Sequence, residues 1–368
     1  MNKTLTKLNE LNLRRLAELN SPDRAFLSLY FSGKEGWEHE IKRLEKNKAL
    51  LKGQAEEREH LERNLDLLET ELKGTPGRFG NVAAFACWLL DFCEVYILPV
   101  PVSGLARVDS SAFIRPLAEL QDEYESYAVV VADNTSAKVY LVASNLAEDA
   151  ASIKGNIKNQ VKVGGWSQQR YKRRRDKQLH HYAKDIAHEL LELDKENAFR
   201  RVLMVGSKET LRAIRTALPS QVANKAVVDK ALDLGKPDDF IESELCELFA
   251  QQEIESEQSL WEAIRNEYLR NGLATMGIED VLKAAEQGRA EKVLAQRDYK
   301  PEGIRCRSCE HLQVETAPCT ECGSEDCFEV GLVNELVELL ARSGAEIDFC
   351  APIPGLQEAG HIGALLRY

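Results

Sequence analysis

The chain has 368 residues, of which 29% are charged and 44% are hydrophobic, and its formal net charge is −12. This length allows two or three domains with separate cores, and the composition excludes a disordered or fibrous chain. The first residues lack the apolar run of a secretory signal, and the apolar stretch 82–102 carries Asp91 and Glu94 near its middle. We therefore expect a cytoplasmic protein that does not cross a membrane.

An N-terminal domain is predicted over residues 1–124. Leucines at short intervals predict a helix over residues 5–19, and residues 26–31, 81–87 and 94–98 predict strands. Between them, residues 38–73 are rich in Glu, Lys, Arg and Leu and predict a helical segment that bends at Gly53. Two interpretations of this segment stay open: a helix or helical hairpin packed on its own domain, or a coiled-coil arm that contacts RNA or a second subunit.

A central domain is predicted over residues 125–272. Residues 128–132 and 137–142 flank Asp133-Asn134, a pattern typical of a β-hairpin. Residues 201–205 predict a buried strand, and Ser207 predicts the N-cap of the next helix. The turn at Gly206 lacks the Walker pattern of phosphate-binding loops, which favours a structural role.

A strongly basic segment, residues 158–177, lies within this domain and carries eight Lys or Arg against one Asp. Apolar residues after Arg170 recur at three- and four-residue steps and predict an amphipathic helix. Gly164 and Gly165 lack Cβ atoms, so the backbone before this helix can approach a ligand closely. The segment is predicted to bind a polyanion. The cations predicted to hold RNA phosphates are Lys162, Arg170, Lys172, Arg173, Arg174, Arg175 and Lys177.

Two adjacent glycines, a nearby glutamine and a basic helix resemble the catalytic loop of the archaeal and eukaryotic class-1 peptide-chain release factors. In that family a Gly-Gly-Gln tripeptide promotes hydrolysis of the ester that joins peptide to tRNA. The order here, Gly164-Gly165-Trp166-Ser167-Gln168, resembles divergent bacterial and archaeal relatives and the quality-control peptidyl-tRNA hydrolases. The two glycines match directly, whereas the glutamine matches only across an inserted Trp-Ser. The resemblance extends over residues 127–368.

This resemblance implies a peptidyl-tRNA hydrolase that fills the ribosomal A site. A backbone N–H near Gln168 or Trp166 would face the developing oxyanion, and the Gln168 amide would position water. Trp166 would either stack on a nucleobase or pack on its own domain. The implied partners are rRNA, peptidyl-tRNA and a translational GTPase, and we expect a monomer away from the ribosome.

The family's two stop-codon-reading motifs, Asn-Ile-Lys-Ser and Tyr-x-Cys-x-x-x-Phe, do not occur in this chain. Asn156-Ile157-Lys158 is a partial match to the first motif, but it lies in the central domain and Asn159 follows it. The alternative function is therefore a Pelota-like rescue or dormancy factor that occupies the A site without hydrolysis.

A C-terminal domain is predicted over residues 273–368, where strands alternate with helices. The segment 363–368 resembles the end of the third domain of release factors and Pelota. Together these patterns predict an α/β (α+β) protein of three domains, with a mixed sheet in the central domain.

Two C-x-x-C pairs interrupt the C-terminal domain, within an insertion at residues 304–328. Nine residues separate the pairs, a spacing that suits four thiolates around a structural zinc ion. A closed four-thiolate site leaves no open position for catalysis. Cys327 is an alternative ligand, and four reduced thiols without metal are the alternative state. The predicted zinc ligands are Cys306, Cys309, Cys319 and Cys322.

Overall fold

The computed structural model describes residues 2–5, 8–21, 23–50, 55–124, 126–134, 136–143, 146–154, 166–197, 199–231, 238–314 and 316–368. The chain divides into two compact units, Met1–Asp122 with Glu255–Tyr368, and Glu123–Ile254. The division into three domains stays a prediction. The mixed α/β class is confirmed, and none of the helices in the described part is long and apolar enough to span a membrane.

The N-terminal part of the first unit is a five-stranded sheet of order β1-β4-β3-β2-β5. Its elements are β1 (Asn2–Thr4), α1 (Leu13–Ala17), β2 (Phe26–Ser32), α2 (Gly33–Leu50), α3 (Ala55–Lys73), β3 (Asn81–Cys87), β4 (Phe92–Leu98) and β5 (Leu105–Asp109). The predicted helix over residues 5–19 is wrong in extent. Among the described residues of this range only Leu13–Ala17 is α-helical, Leu8–Glu10 forms a 3-10 turn, and the Leu5 N–H extends the pairing of β1 with β4 by donating to the Ile97 carbonyl at 3.0 Å. Tertiary pairing here overrides a local leucine pattern.

Helices α2 and α3 cover one face of this sheet. Leu44, Leu61, Leu68 and Leu72 are buried in one core with strand residues, as a hairpin packed on its own domain requires. Asn64 is also fully buried: its Nδ2 donates to the Ala25 carbonyl at 2.6 Å, and its Oδ1 accepts from the Trp88 N–H at 2.8 Å. This one side chain of α3 therefore holds the backbone just before β2 and just after β3. The predicted bend at Gly53 lies outside the described residues.

The second unit has a five-stranded mixed sheet of order β10-β9-β6-β7-β8. Helix α4 (Arg115–Glu123) ends the first stretch of the first unit. The elements of the second unit are β6 (Ser126–Ala132), β7 (Ser136–Ala143), β8 (Leu146–Lys154), α5 (Trp166–Asn197), β9 (Arg201–Gly206), α6 (Lys208–Ala217), α7 (Ser220–Ala223), β10 (Ala226–Ala231) and the start of α8 (Asp238–Leu269). The predicted hairpin is confirmed by the antiparallel pairing of β6 with β7. Helices α5 and α6 bury their apolar faces in the core on one side of the sheet.

The C-terminal part of the first unit carries two sheets, one of order β11-β17-β12-β16 and a smaller antiparallel one of order β14-β13-β15. Its elements are β11 (Ala274–Met276), α9 (Ile278–Glu286), β12 (Ala290–Gln296), β13 (Glu302–Cys306), β14 (Leu312–Gln313), β15 (Cys327–Gly331), α10 (Leu332–Ser343), β16 (Glu346–Cys350), α11 (Pro354–Glu358) and β17 (Ile362–Leu366). The smaller sheet contains the C-x-x-C pairs.

Arg115 joins the two sequence-distant parts of the first unit. Its backbone N–H donates to Asn334 Oδ1 at 3.0 Å, and its guanidinium donates to the carbonyls of Tyr299 at 3.0 Å and Arg297 at 2.8 Å. The two guanidinium bonds explain how a buried arginine is tolerated, since each pairs a charged donor with a backbone acceptor.

A second buried polar contact lies beside it. Ser111 Oγ donates to Glu338 Oε1 at 2.6 Å, and the Asn334 side chain donates to the same oxygen at 2.8 Å. On the same helix, Glu335 forms an ion pair with Arg305 at 2.7 Å. The first unit is thus closed by polar contacts between residues more than 200 positions apart in the chain.

Candidate functional site

The basic segment predicted from the sequence becomes the first turns of α5. This helix has 32 residues and is therefore about 48 Å long. Trp166, Ser167 and Gln168 form its first turn, so their backbone N–H groups have no acceptor inside the helix. Gly164, Gly165 and Lys162 lie outside the described residues. Their predicted roles stay predictions.

Helix α5 has exposed cations near its beginning and buried apolar residues further along. The structure describes the side chains of this helix from Arg173 onward, and Arg173, Arg174 and Lys177 are exposed. Arg170 and Lys172 belong to the helical backbone that precedes them. The residues that anchor the helix in the core are Leu179, Tyr182, Ile186, Leu190 and Leu193. The apolar periodicity read from the sequence is confirmed.

Arg175 has a protein partner in the structure. Its guanidinium forms a bidentate pair with Glu209, in which Nη1 lies 2.7 Å from Oε1 and Nη2 contacts Oε2. Glu209 lies in the first turn of α6, which Ser207 caps by accepting from the Thr210 N–H. Arg175 therefore fixes the basic part of α5 to the start of α6. Its predicted contact with phosphate stays a prediction.

The two C-x-x-C segments form turns with the same backbone hydrogen bonds. The Cys306 N–H donates to the His311 carbonyl, and the Glu310 N–H donates to the Cys306 carbonyl. The second turn repeats both bonds at equivalent positions, from Cys319 to Ser324 and from Gly323 to Cys319. Glu310 and Gly323 also share a positive φ, of 60° and 72°. Each turn thus presents its two thiols in the same way.

The four thiols lie close enough together to hold one metal ion. All four Sγ atoms are within 4.8 Å of one another, with 3.5 Å between Cys306 and Cys322 and 3.6 Å between Cys309 and Cys319. A tetrahedral zinc site with Zn–S bonds of about 2.3 Å requires S···S distances of about 3.8 Å. Cys327 is outside this group, and its Sγ lies 3.6 Å from the Ser324 carbonyl oxygen.

Comparison with known proteins points to translation factors. Residues 113–253 match the family model described as Bacterial archaeo-eukaryotic release factor family 10. The chain is 24% identical over 310 residues to peptide chain release factor subunit 1 of Thermococcus kodakarensis, covering 73% of each chain. It is 26% identical over 296 residues to that of Archaeoglobus fulgidus, covering 73% of this chain and 72% of the relative.

Two solved structures are also similar. One is an archaeal translation termination factor, aRF1, with 15% identity, a TM-score of 0.28 and 99% of each chain covered. The other is S. cerevisiae Dom34, with 13% identity, a TM-score of 0.42, and 73% of this chain and 75% of that chain covered. The family model over residues 113–253 and the archaeal relatives thus show that this chain is similar to the archaeo-eukaryotic release factors.

Proposed function

We propose that this chain acts on the ribosome and promotes hydrolysis of the ester that joins a peptide to tRNA. The observation that carries the proposal is α5, a helix anchored by its apolar residues, on which Arg173, Arg174 and Lys177 are exposed and whose first residue, Trp166, follows Gly164-Gly165 in the sequence. Two residues without Cβ atoms ahead of such a helix would let the backbone enter a narrow cavity with RNA walls. The archaeal relatives, which are named peptide chain release factors, support the same function.

The reaction requires little from the protein's side chains. A water molecule attacks the ester carbonyl carbon, the bond to the tRNA oxygen breaks, and that oxygen takes a proton while the peptide leaves with a new carboxyl group. The first-turn amides of α5, at Trp166 to Gln168, have no intrahelical acceptor and can donate to the oxyanion that forms. The Gln168 side chain then positions the water.

The cations of α5 supply the affinity for RNA. Arg173, Arg174 and Lys177 are exposed and can neutralise phosphates, and Lys162, Arg170 and Lys172 are assigned the same role. The proposed partners are rRNA and peptidyl-tRNA, with a translational GTPase that delivers the protein. We propose that the chain is cytoplasmic and monomeric away from the ribosome.

The four thiols of Cys306, Cys309, Cys319 and Cys322 are proposed to hold a structural zinc ion. The distances between their sulfur atoms are close to those of a tetrahedral site, and each of the two hydrogen-bonded turns supplies two of the thiols. When bound, zinc cross-links a segment that has few apolar residues of its own. It takes no part in the hydrolysis, because four thiolates fill its coordination sphere.

A second candidate function is a Pelota-like rescue or dormancy factor that occupies the A site without hydrolysis. The Trp166-Ser167 insertion before Gln168 and the absence of both codon-reading motifs favour this alternative. The two functions differ in whether ester cleavage occurs, so one release assay separates them.

The assay uses ribosomes that carry a labelled peptidyl-tRNA, with either a stop codon or an empty A site. We expect the wild type to release the peptide and Gly165→Ala to bind ribosomes with release at least tenfold slower. A matched control is Gly74→Ala, where a Cβ would meet only the Glu71 carbonyl oxygen at 3.7 Å. Binding without release by all three proteins would establish the non-catalytic function, and no binding would reject both.

A further inference from the structure

Helix α6 carries a second set of cations that lies outside the basic segment. Lys208, Arg212 and Arg215 are exposed, and their i, i+4, i+7 spacing places them along one face of the helix. The opposite face, with Thr210, Leu211 and Ile214, is buried in the core. These three cations were not predicted as a site from the sequence, although their helical spacing is a signal that indicates one.

These cations line a shallow recess at the edge of the sheet. The recess has a volume of about 410 Å³, and Ala231, the last residue of β10, is part of its lining. Strand β10 is the last strand on this side of the sheet order. The described residues that line the recess are Lys208, Leu211, Arg212, Arg215, Thr216 and Ala231.

The charge of this recess is opposite in sign to that of the protein as a whole. The described lining contains three cations and no carboxylate, in a chain of net charge −12. The one acidic residue in the first turn of α6, Glu209, is neutralised by Arg175. Arg215 also donates to the Ala226 carbonyl at 3.3 Å, which holds one of the cations against the end of the sheet. The local field therefore attracts anions.

The Arg175–Glu209 pair makes the two cationic regions neighbours. Glu209 follows Lys208 on α6, and Arg175 follows the exposed Arg173 and Arg174 on α5. The pair combines one positive and one negative charge, so Glu209 adds no net negative charge between Lys208 and the exposed Arg173 and Arg174. A polyanion bound near Arg173 and Arg174 on α5 can therefore also contact α6, because the carboxylate of Glu209 between them is neutralised by Arg175.

We propose that the face of α6 formed by Lys208, Arg212 and Arg215 binds the phosphate backbone of RNA. The ligand is structured RNA, because three cations spaced along about 10 Å of helix match a repeating row of phosphates. The described lining has no aromatic side chain on which an unpaired base could stack, and contacts to phosphates alone are independent of sequence. This inference rests on the proposed function in taking the RNA to be that of the ribosome or its tRNA.

The test measures RNA binding as a function of salt. The probes are a fluorescently labelled RNA hairpin and purified ribosomes, with monovalent salt varied from about 50 to 200 mM. The variant is the triple substitution K208Q/R212Q/R215Q, which leaves Arg175 and Glu209 in place. We expect the slope of log affinity against log salt to decrease by about 2 to 3, since each lost phosphate contact removes about 0.7 to 0.9.

Two comparisons make the test specific. The control K42Q/K46Q/K283Q removes the same charge from exposed positions in the first unit and should leave the slope unchanged. The double variant K208Q/R212Q retains the Arg215 bond to Ala226 and should lower the slope by about 1.5 to 2. A triple variant that binds like the control, or a wild type that does not bind the hairpin, would overturn the inference.

The inference and the proposed function fail separately. Hairpin binding does not depend on ester cleavage, so a reduced slope without any peptide release supports the α6 face and rejects the hydrolase. Normal peptide release, together with a salt slope that the triple variant leaves unchanged, supports the hydrolase and rejects RNA binding by the α6 face. Gly165→Ala provides a further separation, because it should slow release while its salt dependence equals that of the wild type.

Discussion

Nη1 of Arg307 lies 2.9 Å from Oδ1 of Asp23, and this ion pair ties the four-cysteine sheet to the N-terminal part of the first unit. Arg307 directly follows Cys306, and its guanidinium also lies over the Phe328 ring at 5.0 Å from the ring centroid. The position of Arg307 therefore depends on the turn that presents the thiols. A metal ion that fixes this turn would also fix the contact with Asp23.

Metal loss is expected to loosen this contact. We predict that Cys309→Ser lowers the metal content by about one equivalent per chain and lowers Tm by at least about 5 °C, because a structural metal contributes folding free energy. Elemental analysis and thermal unfolding measure the two effects, and hydrogen exchange should increase near Asp23. Cys327→Ala is the control, since Cys327 lies outside the four-thiol group. A Cys309→Ser protein that keeps its metal would contradict the zinc assignment.

Arg115 is predicted to be one of the side chains on which the stability of the first unit most depends. Arg115→Ala removes donors from the carbonyls of Tyr299 and Arg297 in a buried site. We expect the free energy of unfolding to fall by about 2 to 4 kcal/mol. Arg14→Ala removes an exposed arginine that pairs with Glu18 and should cost less than about 1 kcal/mol. Equal effects in urea unfolding would show that the Arg115 contacts do not matter.

The buried carboxyl groups of α10 predict a dependence of stability on pH. Burial raises the pKa of Glu338 well above its usual range, and the neighbouring Glu335 raises it further. Burial also raises the pKa of Glu335 to about 7, although Arg305 opposes the shift. Folding therefore favours the protonated acids, so stability is fully present below the unfolded pKa and is lost as pH rises towards 7 and above. The other charged groups that act on the pair are Asp109, Arg107 and Arg342.

Glu338→Gln tests this dependence. The amide oxygen can still accept from Ser111 and Asn334, but no charge forms at high pH. We expect the Tm of the wild type to fall between pH 5 and pH 8, and the Tm of the variant to fall less. The difference in free energy of unfolding should be about 1.4 kcal/mol for each unit by which folding shifts the pKa of Glu338 in this range. Glu279→Gln, at an exposed position, is the control. Parallel curves for wild type and Glu338→Gln would contradict the assignment.

Gly206 is predicted to be irreplaceable for a reason of backbone geometry. Its φ is +144°, and a Cβ at this position would lie 1.8 Å from the Ala132 carbonyl oxygen on the neighbouring strand. Gly206→Ala should therefore lower the free energy of unfolding by more than about 2 kcal/mol or prevent soluble expression. Gly36→Ala, inside α2, meets only an ordinary contact at 3.4 Å and should be neutral or stabilising. Circular dichroism with urea titration compares the two, and equal stability would refute the argument.

The elements that the sequence predicted well are those with a strong local period. The apolar stripe of α5 and the N-cap at Ser207 are local signals, and both are present in the structure. Strand β8 was missed because its residues, Leu146–Lys154, are mostly small or charged and do not alternate. The helix predicted over residues 5–19 is too long because Leu5, Leu8 and Leu11 are buried without lying on an α-helix; Leu8 belongs to the short 3-10 turn Leu8–Glu10.

The polar contacts of the first unit could not be predicted from the sequence. Ser111 and Glu338 are 227 residues apart, so no local pattern relates them. The four-thiol cluster could be predicted, because its cysteines lie within 17 residues and their C-x-x-C spacing indicates that the four sulfur atoms lie close together. The cations of α6 lie between these cases, since their helical spacing is local but the recess beside them depends on β10.

The first unit is built from two stretches of chain that are separated by the whole of the second unit. At a synthesis rate of 5 to 20 residues per second, Ser111 waits about 11 to 45 s for its partner across the 227 residues between them. During that interval the second unit, which is continuous in sequence, can form its own core. Nascent chains that stop before α10 therefore lack the hydrogen-bond partners of Ser111 and Arg115 in that helix. We expect proteases to cleave such incomplete chains more readily than the full-length protein.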